Sequence, residues 1–559
     1  MKNYIYVCFL LMFVIVIAAC SDDSEVEQTV EGDTETDVSN EDNDLVIGMR
    51  AEMVTLDPHG SNDNNSGNIR RNIYEPLIMQ GTDMSLNPGL ADEWENVEDD
   101  VWNFKLREGT TFHEGSEFNA EDVKATFDRV LDPALASQVH FLYEMITEVE
   151  IVDDYEINIH TDFPFAPLPS HLAHNTAGIM SKDLIDRDYQ EALDAAESDM
   201  TLDEYYTLRD EGGEEFDEVA EAIGEHLGEV IAAEPDGTNH LKFVERNPGE
   251  SVELESFEDF QAGNRNFNNV TFRVIPEDGS RIGDLETGGI QIAANIEPSH
   301  ADRVDSHDDT TLVQNESVRM SYLSFNTEKE PFDDADLRRA IAHSIDREEI
   351  ISGLYNGMAI EANGPLAPDV WGHDESLEGV SHNPDVAEEY MAESSVPDGF
   401  DTTIWVSDSD IASDTAVYIQ EALGNLNINA EIELLEHGAF LDRASNGEHE
   451  MFILNWGTVT GDADYGLYAL FHSDSHGSTG NRSFYSNPEV DELLDAGRTE
   501  TDDDERFEIY SELQEVLAED SPLTPMYYAN SVVGVNTSQV DNVVIDPVGY
   551  IRFEEATFN

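Results

Sequence analysis

Cysteine and positive charge are both scarce in this chain. Its 559 residues contain 2 cysteines, Cys8 and Cys20, and 27 lysines and arginines against 122 aspartates and glutamates. Because no cysteine follows Cys20, the remainder of the chain contains no disulfide bond. A nucleic-acid partner is disfavoured, since phosphate groups are bound by basic patches and the sequence shows none.

Acidic residues are spread over the whole chain, and they give a formal net charge of -95. Self-repulsion of this size destabilises a compact state in dilute buffer. In molar salt the screening length falls to ~3 Å, which removes most of that repulsion. The chain is still 40% hydrophobic, so it can form a folded core. We therefore expect a protein adapted to high external salinity.

A short apolar run occurs at the N-terminus. Lys2 precedes an apolar stretch from Val7 to Ala19, and Cys20 follows directly. This pattern is typical of a cleaved export signal, and the run is shorter than the ~20 residues of a membrane-spanning helix. Ile17-Ala18-Ala19-Cys20 resembles the lipobox of bacterial lipoproteins; the alternative is an ordinary signal peptide. We expect residues 1–20 to be a lipoprotein signal, Cys20 to be lipidated, and the protein to be extracytoplasmic and anchored to the cell membrane.

The segment after Cys20 predicts a tether. Residues 21–44 are mostly acidic and small polar residues, with isolated valines and no lysine or arginine. Such a segment cannot bury enough apolar surface to offset the entropy of ordering, so we expect a disordered, charge-extended spacer. Leu45–Met49 is then typical of a first buried strand.

The body of the chain mixes strand-like and helix-like patterns, which predicts an α/β architecture, and its length favours two lobes. Acidic residues at the starts of several segments suit helix N-termini. Residues 184–236 are dominated by Asp, Glu and Ala and predict either surface helices or a partly disordered insertion. The clearest predicted helices are Ala120–Val130, Ala335–Tyr355, Asp414–Leu426, Pro488–Arg498 and Asp503–Leu517.

Short motifs follow one another in a fixed order from Leu45 to the C-terminus. The main motifs are Leu56-Asp57-Pro58, Asn72-Ile73-Tyr74-Glu75-Pro76-Leu77, Trp102-Asn103-Phe104-Lys105-Leu106-Arg107-Glu108-Gly109, Pro331-Phe332-Asp333-Asp334, Tyr485-Ser486-Asn487-Pro488 and Pro522-Leu523-Thr524-Pro525-Met526-Tyr527. By them the chain resembles the extracytoplasmic solute-binding proteins of peptide-type ABC transporters, family 5, which include dipeptide, oligopeptide, glutathione and nickel binders. Gly399–Trp405 and Thr460–Tyr465 resemble the glutathione-type branch of small-peptide binders.

The resemblance implies a two-lobed periplasmic-binding-protein fold of class II, the large peptide-binding type, with a hinge between the lobes. The first lobe is expected at residues 45–296, the second at 297–525, and a return to the first lobe at 526–559. A small peptide would be enclosed as the lobes close, without chemistry and without a cofactor. The receptor, expected to be a monomer, would then present the peptide to the permease subunits of an ABC transporter.

Candidate ligand-binding residues come partly from the resemblance and partly from the chemistry of the residues. Dipeptide and oligopeptide binders carry an aspartate for the ligand's α-amino group where this chain has Val459, which leaves Asp462 or Asp464 as substitutes. Trp456 is expected to form an apolar wall, or alternatively to be a core aromatic. Arg319 could hold a ligand carboxylate by a bidentate contact, or alternatively form a surface ion pair. Further candidates are Tyr322, Asn326, Trp405 and His59.

Other activities have weaker signals. No G-x-S-x-G elbow is present, and His449-Glu450-Met451-Phe452-Ile453 lacks the second histidine of a zinc-protease helix. His472 and His476 leave a nickel receptor as an alternative, and a receptor of the same family for another solute is also open. A surface lipoprotein without a transport role is a more distant alternative. We expect a binding protein rather than an enzyme, with no metal site.

Overall fold

The computed structural model describes residues 43–263 and 265–559. The predicted signal peptide, Cys20 and nearly all of the predicted tether lie outside the described residues. Within the described part, no helix is long and apolar enough to cross a membrane. Residues 43–559 fold around two large sheets, one of seven strands and one of six.

The first lobe takes most of its elements from residues 44–315. Its strands are β1 (Asp44–Met49), β2 (Ile78–Gln80), β3 (Leu86–Pro88), β4 (Ala91–Glu98), β5 (Val101–Leu106), β6 (Ile146–Asp153), β7 (Glu156–Thr161), β8 (Leu241–Asn247), β9 (Ser251–Ser256), β10 (Asn269–Val274), β11 (Ile292–Ala293) and β12 (Thr310–Asn315). Its helices are α1 (Asn64–Arg70), α2 (Ala120–Val130), α3 (Leu168–Leu172), α4 (Lys182–Ala195), α5 (Leu202–Glu211), α6 (Glu214–Gly224), α7 (Glu229–Ala233), α8 (Asp278–Glu286) and α9 (Ala301–Asp305).

The second lobe is built from residues 319–529. Its strands are β13 (Arg319–Phe325), β14 (Ala359–Glu361), β15 (Asp401–Ser407), β16 (Asn429–Leu435), β17 (Met451–Gly457) and β18 (Leu523–Ala529). Its helices are α10 (Ala335–Ser344), α11 (Arg347–Leu354), α12 (Pro384–Glu393), α13 (Asp410–Asn425), α14 (His437–Ser445), α15 (Ala463–Phe471), α16 (Pro488–Thr499) and α17 (Asp503–Asp520). The six strands form one sheet in the order β14-β18-β13-β17-β15-β16.

The chain then returns to the first lobe. It does so through β19 (Ser531–Asn536), β20 (Val540–Asp541), β21 (Val544–Ile545), β22 (Ile551–Arg552) and β23 (Thr557–Phe558). In the seven-stranded sheet the order is β12-β19-β11-β1-β10-β9-β8, and a separate four-stranded sheet has the order β4-β5-β7-β6.

A two-stranded antiparallel ribbon connects the lobes. β12 pairs with β19 in the first lobe, and β13 pairs with β18 in the second. The chain therefore crosses at residues 316–318 on the way out and at Asn530 on the way back. These crossings lie later than the expected boundaries after residues 296 and 525, because β12 belongs to the sheet of the first lobe and β18 continues to Ala529.

The cores follow from the alternation of side chains along buried strands. Leu45, Ile47 and Met49 are buried in β1, which runs parallel to β10 and β11. This confirms the predicted first strand. In β13, Met320 and Tyr322 pack into one apolar cluster while Leu323 and Phe325 pack into another. The central sheet of the second lobe thus has a core on each face.

Helix predictions succeeded where caps are clear. Ala120–Val130 is α2, and Asn119 and Asp122 form a capping box at its start. The predicted helix Ala335–Tyr355 is instead two helices, α10 and α11. The break follows from Asp346, which is extended and accepts a hydrogen bond from the Glu349 backbone at 2.9 Å, so it begins a new helix.

The acidic segment 184–236 is ordered and falls mainly in α4–α7. The hydroxyls of Tyr189 and Tyr205 both donate to Asp132, at 2.7 and 2.8 Å. Asp188 accepts hydrogen bonds from the backbone of Gly228 at 2.8 Å and of Val230 at 3.0 Å. The alternative of surface helices is therefore the one observed, and buried carboxylates attach them to the first lobe.

Candidate functional site

The two lobes are in direct contact beyond the hinge ribbon. The Gln80 side chain, on β2, donates to the carbonyls of Val459 and Thr460, both at 3.2 Å. Met84, at the tip of the same hairpin, is buried in a core cluster of the second lobe. The backbone N–H of Ala166 donates to the carbonyl of Arg498 at 3.1 Å, which adds a second bridge. The structure therefore has its lobes brought together.

Tyr465, in the first turn of α15, is where aromatic side chains of both lobes meet. The ring of Trp456 lies 5.7 Å away within the second lobe. From the first lobe, Phe141 lies at 6.4 Å and His171 at 6.5 Å. Burial raises the pKa of Tyr465 to about 12, and a hydrogen bond with the Asn62 side chain opposes the shift. The phenol therefore stays protonated between the lobes. We call these four rings the interlobe aromatic cluster.

Two polar atoms of this cluster are unused. His171 Nδ1 lies 2.8 Å from the Leu142 carbonyl, which can only accept, so Nδ1 carries the proton and Nε2 is an acceptor. Burial lowers the pKa of His171 and keeps the ring neutral at pH 7. In the described residues neither His171 Nε2 nor the Trp456 indole N–H has a hydrogen-bond partner, although both atoms are buried. The cluster thus presents one free acceptor and one free donor.

Asp462 and Asp464 are both engaged by arginines. Arg506 donates to the two oxygens of Asp462 at 2.6 and 2.8 Å, and Arg498 donates to the two oxygens of Asp464 at 3.0 Å each. Asp462 also accepts a hydrogen bond from the backbone of Asp464 at 2.9 Å and caps α15. Both carboxylates are buried. Their charge is already neutralised, so the geometry makes them supports of the loop before α15 rather than free partners for an ammonium group.

Arg319 has the opposite environment. It is the first residue of β13, directly after the hinge crossing, and it is exposed. Its guanidinium makes no ion pair or hydrogen bond with any residue that the structure describes. Protein atoms around the guanidinium lower the pKa of Arg319, and Tyr355 and Tyr550 act in the opposite direction. Arg70 also lacks an ion pair but donates to four neutral groups instead: the Asp57 carbonyl, the hydroxyl and carbonyl of Ser61, and the Asn175 side chain.

Tyr550, one of the two tyrosines that act on the pKa of Arg319, lines a concavity in the first lobe. Its hydroxyl accepts a hydrogen bond from Asn175 at 2.7 Å. A Cβ atom on Gly67 would lie 2.8 Å from the Tyr550 ring, so the ring fits only because that position is glycine. The concavity encloses about 460 Å³, including the part open to solvent, and it is lined by Tyr74, His174, Asn175, Tyr550 and Gln80. Because Gln80 also bonds to the second lobe, this concavity borders the interlobe contact.

Three sequence candidates lie in the second lobe away from this region. Tyr322 is buried and packs against Phe452 at 6.1 Å between ring centres. Trp405 is also buried, and the guanidinium of Arg443 lies 4.2 Å from its ring. Asn326 follows the last residue of β13, about 23 Å along the strand from Arg319, and donates to the Gly447 carbonyl at 3.0 Å. All three residues pack within the second lobe, and their role in ligand binding stays a prediction.

His59 does not lie at the surface of the cleft either. It is buried in the first lobe with Nδ1 at 3.0 Å from Arg129, which forms a two-point ion pair with Asp57 at 3.0 and 2.7 Å. Burial lowers the pKa of His59 to about 3, with Arg129 acting in the same direction. The expected cleft position fails because the loop after β1 turns inward toward Arg129.

The histidines considered for a metal are engaged separately. His472 Nδ1 accepts a hydrogen bond from the Asp474 backbone at 3.0 Å, and His476 Nε2 is bonded to the Tyr485 carbonyl at 2.9 Å. No group of three or more His, Cys, Asp or Glu side chains within residues 43–263 and 265–559 is arranged to hold a metal ion.

The comparisons with known proteins agree with this geometry. A model described as bacterial extracellular solute-binding proteins, family 5 middle, matches residues 85–478, which is more than half of the chain. This chain is a family 5 extracellular solute-binding protein. It is 27% identical over 525 residues to the glutathione-binding protein GsiB of Pectobacterium atrosepticum, covering 92% of this chain and 94% of that one.

Solved structures give the same result for the fold. HbpA2 from Haemophilus parasuis matches with a TM-score of 0.77 and 24% identity, over 92% of this chain and 100% of the other. DppA from Helicobacter pylori, in complex with the peptide STSA, matches with a TM-score of 0.73 and 27% identity, over 92% and 98%. The expected family and two-lobed fold are confirmed. The relatives are binding proteins, and this solute-binding protein is not an enzyme.

Sequence reasoning missed several residues that this binding protein brings to the cleft. His171, Phe141 and Tyr550 were not singled out, because each lies in a different segment and none belongs to a motif with its own chemistry. Tyr465 belonged to the glutathione-type motif Thr460–Tyr465, and it was the one signal available. The two aspartates in the same motif have arginine partners that lie 34 and 44 residues further along the chain, so the motif alone does not reveal the pairing.

Proposed function

We propose that this solute-binding protein captures small peptides, of dipeptide, oligopeptide or glutathione-like type, between its lobes and delivers them to an ABC importer. The names of its relatives support this choice, since GsiB is a glutathione-binding protein and the DppA structure holds a peptide. The observation that carries the proposal is Arg319, an arginine at the hinge with no acidic partner among the described residues.

The chemistry of the cleft matches a peptide at two points. Every linear peptide with a free C-terminus carries a carboxylate, and a guanidinium binds a carboxylate through two parallel hydrogen bonds. A peptide group also offers one N–H and one C=O, which complement the free acceptor of His171 and the free donor of Trp456. Burying these pairs between closed lobes supplies orientation, while the aromatic cluster supplies apolar contact.

A calorimetric titration in molar salt tests the proposal, with glutathione, a mixed dipeptide pool and a nickel–histidine complex as separate ligands. We expect saturable heat from at least one peptide ligand. Arg319→Gln should weaken that binding about 10- to 100-fold, as a hydrogen bond to a charged group contributes about 1.5–3 kcal/mol. Arg187→Gln is the matched control, because Arg187 is an exposed arginine paired with Glu234 at 2.9 Å on α4.

Two outcomes would contradict the proposal. Heat from the nickel complex alone would make this a metal-uptake receptor. Silence from all three ligands, with a cooperative melt showing folded protein, would remove the peptide function and leave the family assignment in place.

We also infer membrane anchoring through Cys20, supported by the lipobox-like sequence that precedes it. Cys20→Ala should release an unlipidated protein into the aqueous phase on detergent partitioning, whereas the unchanged protein stays in the detergent phase. Equal partitioning of both forms would contradict the anchor.

Adaptation to high salinity is the last part of this proposal and rests on the net charge of -95. The melting temperature should rise from dilute buffer to molar salt, because screening weakens the repulsion among carboxylates. A melting temperature that stays flat over that range would argue against it.

A further inference from the structure

The second lobe contains a cavity that is separate from the cleft between the lobes. It encloses about 540 Å³, including the part open to solvent, and every residue that lines it lies between Ala342 and Pro525. Thr524, at one side of it, is five residues before Ala529 at the hinge end of β18, or about 16 Å along the strand. Its apolar walls include Leu377, Val380, Phe471, Leu517 and Leu523.

Two buried polar atoms at this cavity have no partner. The side-chain N–H groups of Gln514 donate to the carbonyls of Gly372 and Tyr510, both at 2.9 Å. These bonds fix the orientation of the amide and leave its Oε1 unpartnered among the described residues. The Thr524 hydroxyl is likewise without a partner in the described chain. Both side chains are only 1% exposed.

The position of Gly364 shows that the Gln514 oxygen faces the cavity. A Cβ atom on this lining glycine would lie 3.8 Å from Gln514 Oε1 and 3.6 Å from a methyl of Leu377. The floor of the cavity therefore places an acceptor beside an apolar wall. A group that enters here meets both.

The cavity does not call for a charged ligand. Arg347 lines it, but its guanidinium donates to the Pro525 carbonyl at 2.9 Å and to the Val380 carbonyl. Glu361 lies 3.7 Å from the same guanidinium. Because these carbonyls accept its hydrogen bonds and Glu361 balances its charge, Arg347 does not require an anionic ligand.

We propose that this cavity binds a compact, neutral, mainly apolar molecule that carries one hydroxyl group. The hydroxyl donates to Gln514 Oε1 and accepts from the Thr524 hydroxyl, which satisfies both buried atoms at once. The apolar body displaces water from the surrounding leucine, valine and phenylalanine side chains.

The test uses the full chain in molar salt and two probes, cyclohexanol and cyclohexyl methyl ether. Saturation-transfer NMR measures the binding of each probe. Cyclohexanol should bind saturably. The ether has the same apolar ring but no donor, and we expect it to bind at least 10-fold more weakly. An ether that binds as well as the alcohol, or an alcohol without a saturable signal because only water occupies the cavity, overturns the proposal.

Two variants locate the binding. Gly364→Ala adds a methyl at ordinary contact distances, so the fold is retained while the cavity shrinks, and cyclohexanol affinity should fall about 10-fold. Gly424→Ala is the control, since a Cβ there meets nothing within 4 Å. Thr524→Val removes an unpartnered hydroxyl, so it should weaken cyclohexanol binding without lowering the melting temperature. Unchanged affinity in both Gly364→Ala and Thr524→Val overturns the site.

The outcome is independent of the peptide-binding proposal. Gly364→Ala should leave the calorimetric titration with peptides unchanged, because no lining residue belongs to the first lobe or to the interlobe aromatic cluster. Loss of peptide binding in this variant would show that the cavity is part of the cleft, which overturns its assignment as a separate site.

Discussion

Two stretches of the second lobe border the cleft, the loop before α15 and the first residue of β13, and they differ in how their charges are paired. In the loop, Asp462 and Asp464 each have an arginine bound at two points. At β13, Arg319 has no acidic partner in the described residues. In a chain with 122 acidic and 27 basic residues, a carboxylate in a binding motif carries little information, whereas an unpaired arginine carries much.

In the first lobe, Arg129 is paired with buried carboxylates in the same manner. Arg129 is fully buried, forms a two-point ion pair with Asp57 and lies 3.5 Å from Asp188. It holds the loop after β1 against the acidic helices. Arg129, Arg498 and Arg506 thus each neutralise a buried carboxylate, and Arg319 departs from that role. The comparison therefore separates structural charge from charge that is available to a ligand.

The largest effect is expected for the ion pair between Asp462 and Arg506. Arg506→Met leaves Asp462 buried without its partner and should lower the free energy of unfolding by about 3–5 kcal/mol. The double variant Asp462→Leu with Arg506→Met should be clearly more stable than the single one, because no buried charge is left. Urea denaturation at fixed molar salt measures both. A single variant that keeps its stability but loses ligand affinity would break the comparison, since Asp462 would then act on the ligand.

A smaller effect concerns buried groups that avoid charge altogether. His240 is surrounded by Phe260, Phe267 and Phe553, and burial lowers its pKa to about 3. The unfolded chain takes up a proton near pH 6.5 and the folded one does not. Stability from this residue is therefore complete above pH 6.5 and is lost as the pH falls toward 3, by about 1.4 kcal/mol per pH unit.

The variant His240→Phe removes the titrating imidazole, so comparing it with the unchanged protein measures the contribution of His240 to the pH dependence of stability. Between pH 6.5 and pH 4 its free energy of unfolding should fall less steeply than that of the unchanged protein, by the amount given above. Asp122 and Asp236, whose pKa values burial raises to about 6, act in the opposite direction but contribute equally to both proteins. Parallel pH profiles for the two proteins would show that His240 is protonated in the folded state.

The smallest effect is expected at the unpaired donor of the cleft. Trp456→Phe keeps an aromatic ring beside Tyr465 but removes the buried indole N–H. Peptide affinity should fall by about 0.5–1.5 kcal/mol, the usual net contribution of one hydrogen bond, or roughly 2- to 13-fold. The melting temperature should not fall, since the free protein loses only an unpartnered donor. An affinity that stays the same would show that the ligand does not use this atom.

Local signals predicted much of the fold. The buried run Leu45–Met49 and the capped helix Ala120–Val130 formed as expected, because their determinants are adjacent in the chain. The lobe boundaries were displaced, since a strand such as Thr310–Asn315 is assigned to a lobe only by its pairing with Ser531–Asn536. That pairing joins residues more than 200 positions apart, and no composition shift marks it.

The candidate site was less predictable for the same reason. Arg319 was identified by scarcity, and Trp456 by the resemblance, and both lie at the interlobe region. Asp462 could not be distinguished from a free carboxylate until Arg506 was placed against it. The role of His171 depends on the Leu142 carbonyl, which fixes the proton on Nδ1 and leaves Nε2 as an acceptor. Such roles arise from contacts between segments, which single-sequence patterns do not contain.

The ribbon that joins the lobes also sets the order in which the chain can be completed during synthesis. β19 lies inside the seven-stranded sheet, between β12 and β11, yet it is made only after the whole of the second lobe. While the ribosome translates residues 319–529, the first lobe has a gap in its principal sheet with strand edges on both sides. The second lobe is an insertion whose ends, β13 and β18, are paired side by side, so it can fold first as a unit. The last few dozen residues then fill the gap, and truncation within them would leave an aggregation-prone open edge.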